Sequence, residues 1–79
     1  MPAPLDAQQL DQRIAVAHRR GDGFALVNLY QQAADLKRAE GDESAFWFLI
    51  THAFVFALEN GHADAEPLHA LLKGAGRES

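Results

Sequence analysis

The polarity pattern of the chain turns on one apolar run. From Ala45 to Leu58 it reads Ala-Phe-Trp-Phe-Leu-Ile-Thr-His-Ala-Phe-Val-Phe-Ala-Leu, with only Thr51 and His52 polar. Its 14 residues contain no Gly or Pro. That is too long for an ordinary strand, and there is no period-2 alternation. It is too short to cross a bilayer, which takes about 20 apolar residues. A helix that is apolar nearly all round is a core helix. At about 100° per residue, Phe46, Ile50, Ala53 and Ala57 fall on one line. Trp47, Phe54 and Leu58 flank it on one side, Leu49 and Phe56 on the other. The remaining face holds Phe48, Thr51, His52, Val55 and Glu59. One face packs inside the chain; the other calls for a second partner.

The flanking segments are amphipathic. Asp6 reads as an N-cap with Gln9 completing a capping box, and Leu5 and Leu10 are spaced as a hydrophobic staple. Ala7, Leu10, Ile14 and Ala17 form the stripe of this first helix, which Gly21 ends in a left-handed cap. Asp22 caps a second helix. Leu26, Leu29, Tyr30, Ala33 and Leu36 face its core side, while Asn28, Gln31, Gln32, Asp35 and Arg38 face water. Gly41 ends it, Asp42 caps the central helix and Gly61 closes that one. Pro67 is tolerated only in a first turn, so the fourth helix starts near Asp64. Its stripe is Ala65, Leu68, Leu71 and Leu72, and Gly74 and Gly76 end it. Residues 1–5 and 74–79 read as loose ends of a single 1–79 domain.

The breaks at Gly21-Asp22, Gly41-Asp42 and Gly61-His62 recur every 20 residues, and each glycine is followed at the fourth place by Ala25, Ala45 or Ala65. Such short turns join antiparallel neighbours. The expected fold is therefore all-α: four antiparallel helices in two αα-hairpins, with the third helix at the centre and the other three around it.

Leu29-Tyr30, Ala33, Gly41-Asp42 and Ala45, echoed by Ala53-Phe54, Gly61-His62, Ala65 and Pro67, resemble tetratricopeptide and Sel1-like repeats over roughly residues 26–72. The resemblance implies protein–protein interaction through a helical groove and carries over no ligand-binding residue. The helices are about a turn longer than in a 34-residue repeat, and two hairpins are fewer than the three a solenoid normally needs. An unrelated up-down four-helix bundle fits the same pattern.

At 79 residues the core is small, a size at which oligomerisation often adds stability. An apolar fraction of 48% excludes a disordered chain. A net charge of −4 argues against broad nucleic-acid binding. The one basic cluster, His18-Arg19-Arg20, suits the last turn of a helix. Without cysteine there is no disulfide framework or thiolate chemistry. The N-terminus shows no secretory signal, so a cytoplasmic location is expected, with no membrane partner.

Candidate chemistry is sparse. There is no GxGxxG, P-loop or HExxH motif, and Ser44 and Ser79 are not placed as nucleophiles. Glu66 and His69 have the Glu-x-x-His spacing of di-iron bundles, and His52 lies about as far from the Asn60-Gly61 turn as His69. A bridged site needs a second such pair and two further inward glutamates. His62 and His69 then read as solvated, and His52 as partly buried. Tyr30 and Trp47 read as core aromatics. Asp35, Glu40, Asp42 and Glu43 read as capping and solvated carboxylates. No cofactor is implied and no enzyme is expected. The function read from the sequence is a helical interaction or adaptor module with a protein partner. It self-associates as a homodimer through Phe48, Thr51, His52, Val55 and Glu59, and protonation of His52 would weaken that dimer. The alternative is a bundle that binds a small molecule or a metal, with His52, Glu66 and His69 as candidate metal ligands.

Overall fold

The computed structural model describes residues 6–77; the N-terminal arm, the Leu5 half of the staple and Ser79 lie outside them. The described residues fold into four helices: α1 (Ala7–Arg20), α2 (Gly23–Ala39), α3 (Glu43–Asn60) and α4 (Ala65–Gly74). The fold is all-α, as the pattern predicts.

The starts and stops follow local chemistry. The Asp6 carboxylate accepts from Gln9 N–H at 2.8 Å, and the Gln9 side chain accepts from Asp6 N–H at 3.1 Å. This reciprocal pair is the predicted capping box. Asp22 and Asp42 accept from Ala25 N–H and Ala45 N–H, each at 3.1 Å. The recurring alanines are thus the residues whose amide the preceding aspartate catches. The third period departs from this: His62 stands where the aspartate stood, and Asp64 makes no side-chain cap bond to α4. Gly21, Gly41 and Gly61 take φ of 65°, 83° and 64°, the left-handed region in which a side chain is disfavoured.

Each helix packs on its chain neighbours, and α2 against α3 is the most extensive interface. This corrects one expectation. α1 lies on α2 and makes no backbone approach to α3, so the core is built on the α2–α3 pair. The main buried cluster combines Val27 and Ala34 of α2 with Phe46, Ile50, Ala53 and Ala57 of α3 and Leu68 and Leu72 of α4. The predicted line along α3 is the buried line. Val27 and Ala34 were not on the predicted stripe of α2. That stripe (Leu26, Leu29, Tyr30, Ala33 and Leu36) is mostly half-buried, with only Leu26 fully enclosed. A helix sandwiched between two neighbours needs two apolar faces, and a single-stripe reading finds one.

The α2–α3 contact is close because its residues are small. Ala34, Ala53 and Ala57 are fully buried. Gly23 is buried too, and a Cβ there would run into the Asn60 side chain. Gly23 opens α2 and Asn60 closes α3, which shows the pair running antiparallel. Outside the main buried cluster, Leu10 and Ala17 of α1 and Leu26 of α2 are also buried.

Several surface assignments also change. Gln31 is half-buried and donates to Asp64 at 3.0 Å, joining α2 to the α3–α4 turn. Arg38 is exposed as expected, with its guanidinium 4.0 Å from the Phe46 ring centroid. Ala7 and Leu71 are exposed although their stripes predicted contact, since both stand near free ends of the array. Past Gly74, Arg77 N–H donates to Leu72 O at 2.9 Å, and its guanidinium lies 5.2 Å from the Trp47 ring centroid.

Candidate interaction face and aromatic groove

α3 is nearly all apolar, so the sides that α2 and α4 do not reach are left as apolar surface. Phe48 is 62% and Val55 43% exposed, two turns apart on one face. Thr51 and Glu59 share this face and are exposed; His52 is half-buried at its edge. The two polar groups between Phe48 and Val55 are turned back onto their own helix. Thr51 Oγ1 donates to Trp47 O at 2.8 Å, and His52 Nδ1 lies 2.9 Å from Phe48 O. Since a carbonyl only accepts, Nδ1 carries the proton in that bond. The face therefore presents methyl and ring surface where its sequence reads Thr-His. The His52 ring stands 4.4 Å from the Phe48 ring and 5.6 Å from that of Tyr30.

Tyr30 leads from this face into a groove. Its ring stacks on Phe56 at 5.6 Å and 9°. Its hydroxyl lies 2.9 Å from His18 Nε2, and the His18 ring is 5.7 Å from Phe56. α1, α2 and α3 are thus tied at one end by His18, Tyr30 and Phe56. Burial pushes the Tyr30 phenol above its ordinary range. Beyond this tie the three helices line a groove of about 310 Å³, with Leu10 and Ile14 on one wall, Tyr30, Ala33 and Leu36 on the floor and Leu49 opposite. Sequence reasoning gave His18 only the role of a cation at a helix end. The signal for its cross-helix bond was weak, because Tyr30 on an apolar stripe needs some partner for its hydroxyl.

The candidate metal ligands are not brought together. His52 leans toward Tyr30 on the α2 side of α3. His69 stacks on Phe54 at 5.6 Å and 11°, on the α4 side, beside Glu66 in a shallow cleft. Among the described residues no group of three or more His, Cys, Asp and Glu side chains is placed to hold a metal ion. Equal distance from a turn sets two residues at the same height but not on the same side of a helix.

The other histidines are less solvated than their positions suggested. His69 is half-buried, and His62 packs its ring 5.0 Å from Phe24. His62 Nδ1 accepts from Asp64 N–H at 2.9 Å, so that nitrogen is unprotonated and its 3.8 Å approach to the Asp64 carboxylate is not an ion pair. Of the carboxylates near the α2–α3 turn, Asp42 caps α3 and Glu40 lies 3.7 Å from Lys37, all of them exposed. Trp47 packs edge-on against Phe46 at 4.9 Å. No helix among the described residues is long and apolar enough to cross a membrane. Comparison with protein-family models, with curated proteins and with solved structures found no match.

Proposed function

We propose that the protein is a non-catalytic, cytoplasmic helical interaction module that self-associates through the outward face of α3. The observation that carries this reading is the exposure of Phe48 and Val55 on one face of the central helix, with the Thr51 hydroxyl and His52 Nδ1 between them bonded to their own backbone. The face is self-complementary. In an antiparallel pair with a two-fold axis between positions 51 and 52, Phe48 of each copy meets Val55 of the other, and Thr51 faces His52. The recurring Gly-Asp turns fit the resemblance to interaction repeats.

Burial strength sets the affinity. Full burial of such side chains is worth about 1.5–3 kcal/mol each. Scaled by the 62% and 43% that remain exposed, Phe48 and Val55 together contribute roughly 2–3 kcal/mol per copy. Two copies give about 5 kcal/mol against an association cost of at least about 4. A dimer with Kd near about 1 mM needs a net of about 4 kcal/mol, so the interface has to bury further apolar surface beside these four side chains. Cross-linking tests the geometry. The chain has no cysteine, so Thr51→Cys supplies the only thiol. It should form a disulfide-linked dimer on mild oxidation, while Gln32→Cys on α2 should not. Equal cross-linking of the two variants would contradict the interface.

The groove over α2 favours a second reading, a small apolar ligand held between α1 and α3. Its volume is at the lower end of the range for ligand sites. Native mass spectrometry of the purified protein distinguishes the two: a co-purifying small molecule that Ala33→Phe abolishes would support the groove, and a bare chain mass would not.

A further inference from the structure

A second cleft, of about 560 Å³, is lined by α1 and α2 and the turn residue Asp22 between them. Its floor includes Val16, Ala17, Ala25 and Leu29, and only Ala17 of these is buried. Arg13 and Arg20 border it from α1. They stand seven residues apart, two turns and about 10 Å along one helix face. Among the described residues the close approach of a cation to a carboxylate is Lys37 to Glu40, so neither arginine is ion-paired. The one carboxylate in the cleft, Asp22, already accepts from Ala25 N–H. The negative end of the α1 dipole accounts for Arg20 in the last turn. It does not account for Arg13 in mid-helix. α1 carries three arginines against one aspartate in a chain whose net charge is −4, so a basic cleft with an uncovered apolar floor sits on an acidic protein.

We propose that this cleft docks an acidic amphipathic helix of another protein. Two of its carboxylates, spaced two turns apart, engage the guanidinium groups of Arg13 and Arg20. Apolar side chains between them cover Val16 and Leu29. The fork of a guanidinium matches a carboxylate with two hydrogen bonds. Asn28 and Gln32 along the α2 rim supply polar groups for the edge of the docked helix. A second copy of this chain does not fit, because none of its four helices carries two carboxylates seven residues apart. A nucleic acid fits poorly, since its affinity comes from many neutralised phosphates and the cleft offers two arginines on a protein of opposite net charge.

The test uses the full chain and a fluorescent, alanine-rich helical peptide of about 15 residues, with two glutamates seven positions apart and two leucines between them. Fluorescence anisotropy should show saturable binding that weakens with added salt. Arg13→Glu with Arg20→Glu should weaken it at least about tenfold, and the reversed protein should prefer the peptide with lysines in place of the glutamates. Arg13→Gln with Arg20→Gln should weaken binding of the glutamate peptide and remove the preference between the two peptides, and circular dichroism confirms that each variant is folded. No binding to the wild type up to millimolar peptide would overturn the proposal. So would equal binding of a glutamine-for-glutamate or serine-for-leucine peptide, or tighter binding of a single-stranded oligonucleotide of similar length. The α3 reading is untouched by any of these results, because Arg13 and Arg20 lie on α1.

Discussion

Gly23 and Asn60 meet where α2 begins and α3 ends, and their coupling can be worked out from the structure. Gly23 is buried at the first position of α2, and a Cβ there occupies the space of the Asn60 amide. Asn60 is a flexible side chain and can swing aside. Doing so breaks its bond from Nδ2 to Phe56 O, now 2.8 Å. Such a bond contributes about 0.5–1.5 kcal/mol net. Against that, Gly→Ala in a helix gains about 0.5–1 kcal/mol, and less at a first position. Gly23→Ala should therefore be neutral to about 1 kcal/mol destabilising. In an Asn60→Ala background the clash and the bond are both gone, and the same Gly23→Ala should stabilise by a few tenths to about 1 kcal/mol. The expected coupling is about 0.5–1.5 kcal/mol, at or above the roughly 0.3–0.5 kcal/mol scatter of independent sites. Denaturant melts of wild type, both single variants and the double variant measure it. Additivity within that scatter would mean that Asn60 does not fill the space above Gly23, and the account of the close α2–α3 approach would fall.

Other expectations follow from single positions. Gly41→Val and Gly61→Val force a β-branched residue into positive φ, so each should cost about 1 kcal/mol or more, or roughly 4–8 °C in Tm for a domain of this size; unchanged melting of both would remove the period-20 turn argument. Ala57→Leu, at a fully buried site, should overpack the core and cost about 1–3 kcal/mol, whereas Ala45→Leu at a half-buried site should cost less, and the reverse order in thermal melts would misplace the close crossing. The only tyrosine, Tyr30, should titrate above its ordinary value near 10 by ultraviolet absorbance. Folding then disfavours the phenolate, so this residue leaves stability unchanged below about pH 10 and lowers it above; a midpoint below 10 would contradict its burial.

The elements were legible because their ends are local chemistry. Asp6, Asp22 and Asp42 bond amides three residues on, and the intervening glycines reverse the chain, so boundaries could be read from residue types alone. The buried line of α3 was legible from helical geometry: steps of about 100° set Phe46, Ile50, Ala53 and Ala57 on one line, and all four are buried. What was not legible is which helix touches which. Val27 and Ala34 are ordinary residues for a helix flank, and only the packing of α3 and α4 against that flank makes it a buried face. For the same reason His18 was assigned to a helix end, while its bond to Tyr30 depends on two helices crossing. The outward face of α3 was readable as a set of residues. That its polar atoms turn inward to Trp47 O and Phe48 O depends on rotamers that the pattern does not encode.

Sedimentation equilibrium over about 0.01–1 mM, the range in which a weak dimer populates, tests self-association through α3 most directly. The wild type should shift from 8.7 kDa toward twice that mass as concentration rises, and Phe48→Glu should stay at the monomer mass throughout. A wild type that remains monomeric across the range, or a Phe48→Glu variant that dimerises as the wild type does, would contradict the account.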